Sequence, residues 1–206
     1  MLVVVSPHGR GSGVYRAATG SLDSLGIAGI RIENEPAPTA KELAQGWKGW
    51  LEGEADFGVA VPLVTAGTGD GEVVACAFGE ATGPYASDVG DANGLASALV
   101  SAIGTVAESR RVGVIASGHT SAALSARAPL TERPGARELD DRIVAALAES
   151  PVALLDVDES AWAAGDPCGR LPLLLLAHLF GHRGGNVVAR ASPFGVGYVA
   201  AAWELE

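Results

Sequence analysis

The sequence is poor in cysteine, in positive charge and in long apolar runs, and each shortage excludes a class of protein. Only two cysteines occur among 206 residues, Cys76 and Cys168, so they form neither a disulfide framework nor a CxxC motif, and we expect a reducing, cytoplasmic setting. Lysine and arginine number 14 against 24 aspartates and glutamates, which gives a formal net charge of −10. A chain of that sign is repelled by phosphate backbones and anionic lipid, so we expect neither nucleic acid nor membrane as a partner.

No stretch is apolar for long enough to predict a membrane span. The longest one, Leu171 to Phe180, is about half the roughly 20 residues that a span requires, and it reads better as a buried helix. The opening residues MLVVVSPHG lack a basic region, so we expect no signal peptide.

What the chain does have is apolar bulk. Hydrophobic residues make up 48% of it and charged residues 18%, which predicts a sizeable core rather than disorder. The length predicts one domain covering residues 1–206.

Apolar runs and helical spacings alternate along the chain. This alternation predicts an α/β fold, a single-domain sandwich with a central mixed sheet and helices on both faces. Predicted strands are Leu2–Val5, Ile27–Ile32, Phe57–Val64, Glu72–Phe78, Val112–Ala116, Asn186–Ala189 and Val196–Ala202. Predicted helices are Val14–Leu25, Thr39–Leu51 (with Thr39 as N-cap and Glu42 completing a capping box), Asp91–Ala107, Arg137–Ala148 and Leu171–Phe180.

Two of the four histidines directly follow predicted buried strands. His8 comes after the opening strand, and His119 follows Val112–Ala116. Ligands gather at the carboxyl ends of strands in open α/β sheets, so both are candidates for a metal ligand or a general base. The plainer alternative is that each is a loop histidine engaged in ordinary hydrogen bonds.

A second histidine pair, His178 and His182, has the four-residue spacing that places side chains on one helix face. That spacing suits a metal in principle, but no HExxH motif is present and the helix is otherwise apolar. We favour a helix end at which His182 and Arg183 interact with the dipole.

Other enzyme classes find less support. Gly9, Gly11 and Gly13 follow a strand, but Val14 breaks the GxGxxG pattern, and neither a P-loop nor a GxSxG elbow is present. Cys168 suits a nucleophile, a soft metal ligand or a buried structural thiol.

Four segments, taken in order, carry a family resemblance. They are the opening strand with Ser6-Pro7-His8, the run Ala55 to Leu63, the run Val114 to Ser121 followed by Ala128-Pro129, and the run Ser192 to Tyr198. Together they resemble the LigB-type catalytic-subunit fold of class III extradiol ring-cleavage dioxygenases and its Memo-like relatives. The resemblance implies non-haem Fe(II) as cofactor, held by two histidines and a glutamate, and a catechol-like substrate that is opened next to its hydroxyls.

Carried over by residue, the resemblance makes His8 the first iron ligand. The second histidine falls at Phe57, whose phenyl ring cannot coordinate a metal. The acid/base histidine falls near Ala122, where His119 is the available substitute, and the cysteine before Gly-Arg in the Memo-like branch matches Cys168. The resemblance therefore implies a metal set of His8, His119 and Cys168, with His119 also as the catalytic acid/base.

Two hypotheses follow. The chain is either a non-haem iron dioxygenase for a catechol-like molecule, or a non-catalytic LigB/Memo-like protein that serves as a binding or regulatory module. Loss of one of three ligands weakens an open metal site severely, which favours the second. The family often pairs its subunits, so a homo-oligomer is a further expectation.

Overall fold

The structure is a computed structural model that describes residues 1–67, 71–79, 85–106 and 111–204. They divide into two compact units. The first comprises Met1–Gly83 and Asn93–Ser117, and the second comprises Pro84–Ala92 and Gly118–Glu206. The prediction of one domain for residues 1–206 stays a prediction.

The first unit is built around a mixed five-stranded sheet. Its strands are β1 (Leu2–Gly9), β2 (Gly13–Tyr15), β5 (Trp50–Leu51), β6 (Val73–Gly79) and β7 (Gly113–Ala116), and a short two-stranded sheet adds β3 (Gly20–Ser21) and β4 (Arg31–Ile32). The order is β5-β2-β6-β1-β7; β1 is parallel to both neighbours, and β2 is antiparallel to β6. The predicted α/β class with a central mixed sheet is confirmed.

Strand β1 is buried between β6 and β7, and its opening residues are apolar on both faces. Val3, Val4 and Val5 are at most 1% exposed, between β6 and β7. Such a strand has no solvent face, which explains the continuous apolar run instead of an alternation. The strand continues past its predicted end, through an irregular register after Ser6, and this extension brings His8 to the carboxyl edge of the sheet.

The described residues form six α-helices. They are α1 (Pro38–Gly46), α2 (Phe57–Ala66), α3 (Tyr85–Val106), α4 (Ala136–Glu149), α5 (Glu159–Gly165) and α6 (Arg170–Phe180). Predictions for β6, β7, α4 and α6 are confirmed, as is the helix expected over Asp91–Ala107, apart from Ala107, which lies outside the described residues. None of the helices in the described ranges is long and apolar enough to cross a membrane.

The strand predicted over Phe57–Val64 is wrong, because these residues form α2. An unbroken apolar run marks burial and does not by itself distinguish a strand from a helix. The deciding residue is Asp56, whose side chain accepts a hydrogen bond from the Gly58 amide and caps the helix. Pro62 lies inside the helix.

The helix predicted over Val14–Leu25 is also wrong, since β2, β3 and a short 3-10 turn occupy those residues. A Cβ at Gly13 would lie 2.9 Å from the carbonyl oxygen of Gly49, so the backbone at the start of β2 packs directly against the backbone at Gly49. The strand expected over Ile27–Ile32 is limited to β4.

Helix α1 begins earlier and ends sooner than predicted. Its N-cap is Ala37, and the Thr39 amide is satisfied by the Glu72 carboxylate at 2.8 Å instead of by a capping box with Glu42. The helix ends at Gly46, and Trp50–Leu51 joins the sheet as β5.

The second unit holds α4, α5, α6 and a hairpin. Both predicted closing strands form, as β8 (Asn186–Ala191) and β9 (Tyr198–Ala202), and they pair with each other in a separate two-stranded antiparallel sheet. Leu173, Leu174 and Leu175 of α6 are at most 6% exposed, as expected of a buried helix.

Candidate functional site

The carboxyl end of β1 is tied to the beginning of α2 by one carboxylate. Asp56 Oδ1 accepts hydrogen bonds from Ser6 Oγ at 2.8 Å and from the Gly58 amide at 3.1 Å. The His8 amide in turn donates to Ser6 Oγ at 3.2 Å. The backbone that carries His8 is therefore fixed to the helix cap, while its imidazole is exposed.

Gly58 is required at this junction. A Cβ on Gly58 would lie 2.3 Å from Ser6 Oγ, far inside van der Waals contact. The helix consequently begins close against the strand, and position 57 is held beside position 8.

The ring of His8 packs against the ring of Phe57. Their centroids are 5.0 Å apart, with an interplanar angle of 41°. Two imidazoles that bind one ion at about 2.1 Å have ring centres roughly 4.5–5 Å apart, so position 57 has the spacing that a second histidine ligand needs. The phenyl ring has no donor atom, and the residues beside His8 therefore do not fit the two-histidine iron site that the resemblance implies.

The carboxylate beside this junction, that of Asp56, is only partly satisfied. Asp56 Oδ2 is buried and makes no hydrogen bond within the described part of the chain. The pKa of the neighbouring Tyr15 phenol is raised, mainly by burial and further by the charge of Asp56, while Arg10 opposes the shift. Tyr15 is thus kept neutral, and a cation or a hydrogen-bond donor is favoured near Asp56.

In the second unit His119 and Cys168 come together through reciprocal backbone contacts. The His119 amide donates to Cys168 Sγ at 3.3 Å, and the Cys168 amide donates to His119 Nδ1 at 3.4 Å. A neutral imidazole that accepts at Nδ1 carries its proton on Nε2. Cys168 lies two residues before α6, and an imidazole beside a thiol suits a nucleophile or a soft metal ligand.

Two glycines make that approach feasible. Gly118 has a φ of +154°, and a Cβ there would lie 2.4 Å from the Cα of Gly169. The Gly169 amide also donates to the His119 carbonyl at 3.1 Å. The loops can touch only because neither carries a side chain at this point.

The predicted three-ligand set is therefore distributed over the units. His119 and Cys168 contact each other in the second unit, and His8 belongs to the first, beside Phe57. Within residues 1–67, 71–79, 85–106 and 111–204, no group of three or more His, Cys, Asp or Glu side chains is placed to hold a metal ion. The set His8, His119, Cys168 and the Fe(II) cofactor stay predictions.

The other histidine pair does not share a helix face. Helix α6 ends at Phe180, and His182 lies beyond the Gly181 cap, with its Nδ1 3.2 Å from Ser150 Oγ. Burial lowers the pKa of His178, whose Nε2 is enclosed without a hydrogen-bond partner among the described residues. His178 is a half-buried residue of α6.

The glycine-rich segment after β1 leads into β2 and not into a helix. A dinucleotide or phosphate site needs a helix N-terminus after the glycines, so the nucleotide-binding alternative loses its structural basis. A Cβ on Gly9 would lie 2.4 Å from the Gly11 carbonyl, which explains the glycines by close packing.

Sequence reasoning missed Ser6 and Asp56 as members of the site around His8. An acidic residue directly before an apolar run is an N-cap signal, and it was available for Asp56. No local signal marks Ser6, because its partner is 50 residues away.

Comparisons with protein-family models and with curated proteins find no match to this chain.

Proposed function

We propose that this chain is a relative of the class III extradiol dioxygenases in which the ring-cleaving iron site is incomplete, and that it acts as a non-catalytic binding or regulatory module. The small molecule it binds is of the catechol type. The resemblance of the four sequence segments supports the relationship to this family. The phenyl ring at position 57, which cannot bind a metal, supports the loss of catalytic activity.

The observation that carries the proposal is the 5.0 Å separation between the rings of His8 and Phe57. If Phe57 matched the second histidine ligand only by chance, its ring would not be expected to lie at the distance from His8 that two metal-bound histidines have. The capping carboxylate of Asp56 and the close-packed Gly58 build the scaffold that such a site requires. On this proposal the chain keeps the scaffold of the site and replaces one donor by carbon.

The same rings support a binding role. His8 is exposed and Phe57 is half-buried, and the two are tilted against each other by 41°. An edge of one aromatic ring against the face of another is a favourable contact, so a flat phenolic ring can extend this pair. The exposed guanidinium of Arg10 offers a hydrogen-bond donor to its hydroxyls.

Restoring the lost donor tests the relationship. We expect Phe57→His to raise Fe(II) affinity at least about tenfold over the unchanged protein, because a direct ligand contributes no less than an outer-sphere partner does. The gain requires His8, so the double variant with His8→Ala should return to the starting affinity. Val100→His, which adds an imidazole at a 62% exposed position on α3, is the matched control for non-specific binding.

Catechol itself tests the binding role. Saturation-transfer NMR on metal-free protein should show catechol contacting the chain, and both His8→Ala and Phe57→Ala should weaken the signal while Val100→Ala leaves it unchanged. Formation of a ring-opened product from catechol by the unchanged protein with Fe(II), and not by Fe(II) alone, would instead show a working dioxygenase and would overturn the non-catalytic proposal.

A further inference from the structure

We propose that Ser6 and Asp56 couple occupancy of the His8–Phe57 pair to the first turn of α2, so that a ligand bound by the two rings stabilises the start of this helix. This coupling rests on the binding role proposed above and describes how a bound ligand acts on the protein. Its basis is a chain of hydrogen bonds that begins at the His8 amide and ends at the amides of the helix.

The hydrogen-bond chain passes through a buried serine. Ser6 is 0% exposed, and its hydroxyl accepts a hydrogen bond from the His8 amide at 3.2 Å and donates one to Asp56 Oδ1 at 2.8 Å. The same Oδ1 accepts a hydrogen bond from the Gly58 amide at 3.1 Å. The strand end that carries His8 and the start of α2 are consequently held by one oxygen atom.

The first turn of α2 depends on Asp56 more than a regular helix start would. The Asp56 carbonyl accepts hydrogen bonds from the amides of Val59 and Ala60 at 3.1 and 3.0 Å, so one residue satisfies three amides of the turn. Pro62 has no N–H, so the Gly58 carbonyl lacks the bond that a residue four positions later donates in a helix. A turn with fewer internal bonds opens more readily, and its stability is therefore sensitive to whatever holds Asp56.

The closed junction also carries an internal cost. Asp56 Oδ2 is buried and has no hydrogen-bond partner within the described ranges, and a buried oxygen without a donor is unfavourable. This cost offsets part of the stabilisation that the bonds to Ser6 and Gly58 provide. A ligand can therefore shift the opening of the turn measurably.

The two rings lie at the two ends of the hydrogen-bond chain. Phe57 is the first residue of α2, directly between Asp56 and Gly58, and its ring centre is 5.0 Å from that of His8. A ligand that contacts both rings requires the strand end and the helix start to be in place. By linkage, a ligand that prefers the closed turn must stabilise the closed turn.

NMR without ligand tests the hydrogen-bond chain by itself. The aromatic ring current of Phe57 shifts the ring-proton signals of His8, and Phe57→Leu gives the position of those signals without it. Ser6→Ala should move the His8 signals towards the Phe57→Leu position. It should also speed hydrogen exchange at the amides of residues 58–60 at least about fivefold, which is the worth of one hydrogen bond of typical strength.

Ser121→Ala is the matched control. Ser121 is also 0% exposed, and its hydroxyl accepts a hydrogen bond from the Ala123 amide at 3.2 Å and donates one to the Gly165 carbonyl at 3.0 Å. It belongs to the second unit. The substitution removes the same pattern of hydrogen bonds, so it should lower the thermal stability without changing the His8 signals or the exchange at residues 58–60.

Substitutions of Asp56 decide the matter if Ser6→Ala fails to fold. Asp56→Asn keeps an oxygen that accepts both hydrogen bonds, so the His8 signals should stay near those of the unchanged protein. Asp56→Ala removes the acceptor and should shift the signals as Ser6→Ala does. His8 signals and exchange rates that are the same in Asp56→Ala and Asp56→Asn would overturn the proposal.

Catechol, at about ten times its dissociation constant, tests the effect of the ligand. Exchange at residues 58–60 of the unchanged protein should slow at least about threefold, with an upper limit of about elevenfold for a ligand that binds only the closed turn. Ser6→Ala should bind catechol at least about threefold more weakly. Catechol binding without slower exchange at residues 58–60 would overturn the coupling. An unchanged protein that does not bind catechol would instead overturn the binding role, and the ligand-free measurements would still decide whether Ser6 and Asp56 join His8 to α2.

Discussion

Arg190 should be the side chain that holds the hairpin against α4, and Arg190→Met measures its contribution. The guanidinium donates from Nε to Asp140 Oδ2 at 3.2 Å, and its Nη2 donates to the carboxylates of Asp140 and Asp141. The Asp140 side chain is 3% exposed, and that of Arg190 is 39% exposed. These hydrogen bonds, Asp140 first, raise the pKa of Arg190, so the cation is stabilised in the folded chain.

The expected loss of stability on Arg190→Met depends on the fact that only one partner of the ion pair is buried. Removal of one member of a fully buried ion pair costs about 3–5 kcal/mol because a charge is left uncompensated. Arg190 is partly solvated and Asp140 keeps the hydroxyl of Thr120, so we reduce the expected loss to about 2 kcal/mol. Thermal unfolding should show a Tm lower by roughly 4–8 °C.

Arg127→Met is the matched control, because it removes the same charge from an exposed position. Its expected effect is within about 0.5 kcal/mol. Adding Asp140→Asn to Arg190→Met should restore part of the lost stability, since the neutral amide needs no counter-ion. A loss below about 0.5 kcal/mol for Arg190→Met, or no coupling in the double variant, would refute the assignment of Arg190 as the anchor.

Three further outcomes are expected. Gly58→Ala should destabilise the chain by about 2 kcal/mol in urea titration, because its Cβ would meet Ser6 Oγ at 2.3 Å; an unchanged midpoint would contradict the close packing. Burial lowers the pKa of His178, so the unfolded chain binds a proton there more readily than the folded chain. The stability that depends on this residue should be full above about pH 6.5 and should fall as the pH decreases below that value. In denaturation measured at several pH values, His178→Gln should reduce this pH dependence. Native protein should react with a thiol reagent at half-buried Cys168 only, while Cys76, whose pKa is raised by complete burial, should react after unfolding; two fast thiols in the native state would count against this core.

Much of the fold can be predicted because burial leaves a direct trace in the sequence. The apolar runs at β6 and β7 and the helical spacing of α4 each match one periodicity and are found where expected. The run at Phe57 is ambiguous because it is apolar throughout, and a single capping carboxylate decides it in favour of a helix. The helix predicted after Gly13 is wrong for another reason, because close packing of Gly13 against the distant Gly49 sets the local conformation.

The candidate site is predictable only in part. Position directly after a predicted buried strand identifies His8 and His119, and this is a local feature, although β1 in fact extends through His8. The contact between His119 and Cys168 joins residues 49 apart in sequence and depends on two glycines that meet without side chains. Such a contact has no local signature, and only the resemblance suggested it.

The central claim is that position 57 is a ligand position that has lost its ligand. Anaerobic Fe(II) titration of Phe57→His, followed by its absorption and by bound metal after desalting, tests it most directly. The account predicts close to one tightly held iron per chain, which disappears when His8 is also replaced. Equal, weak iron retention by Phe57→His, Val100→His and the unchanged protein would contradict it.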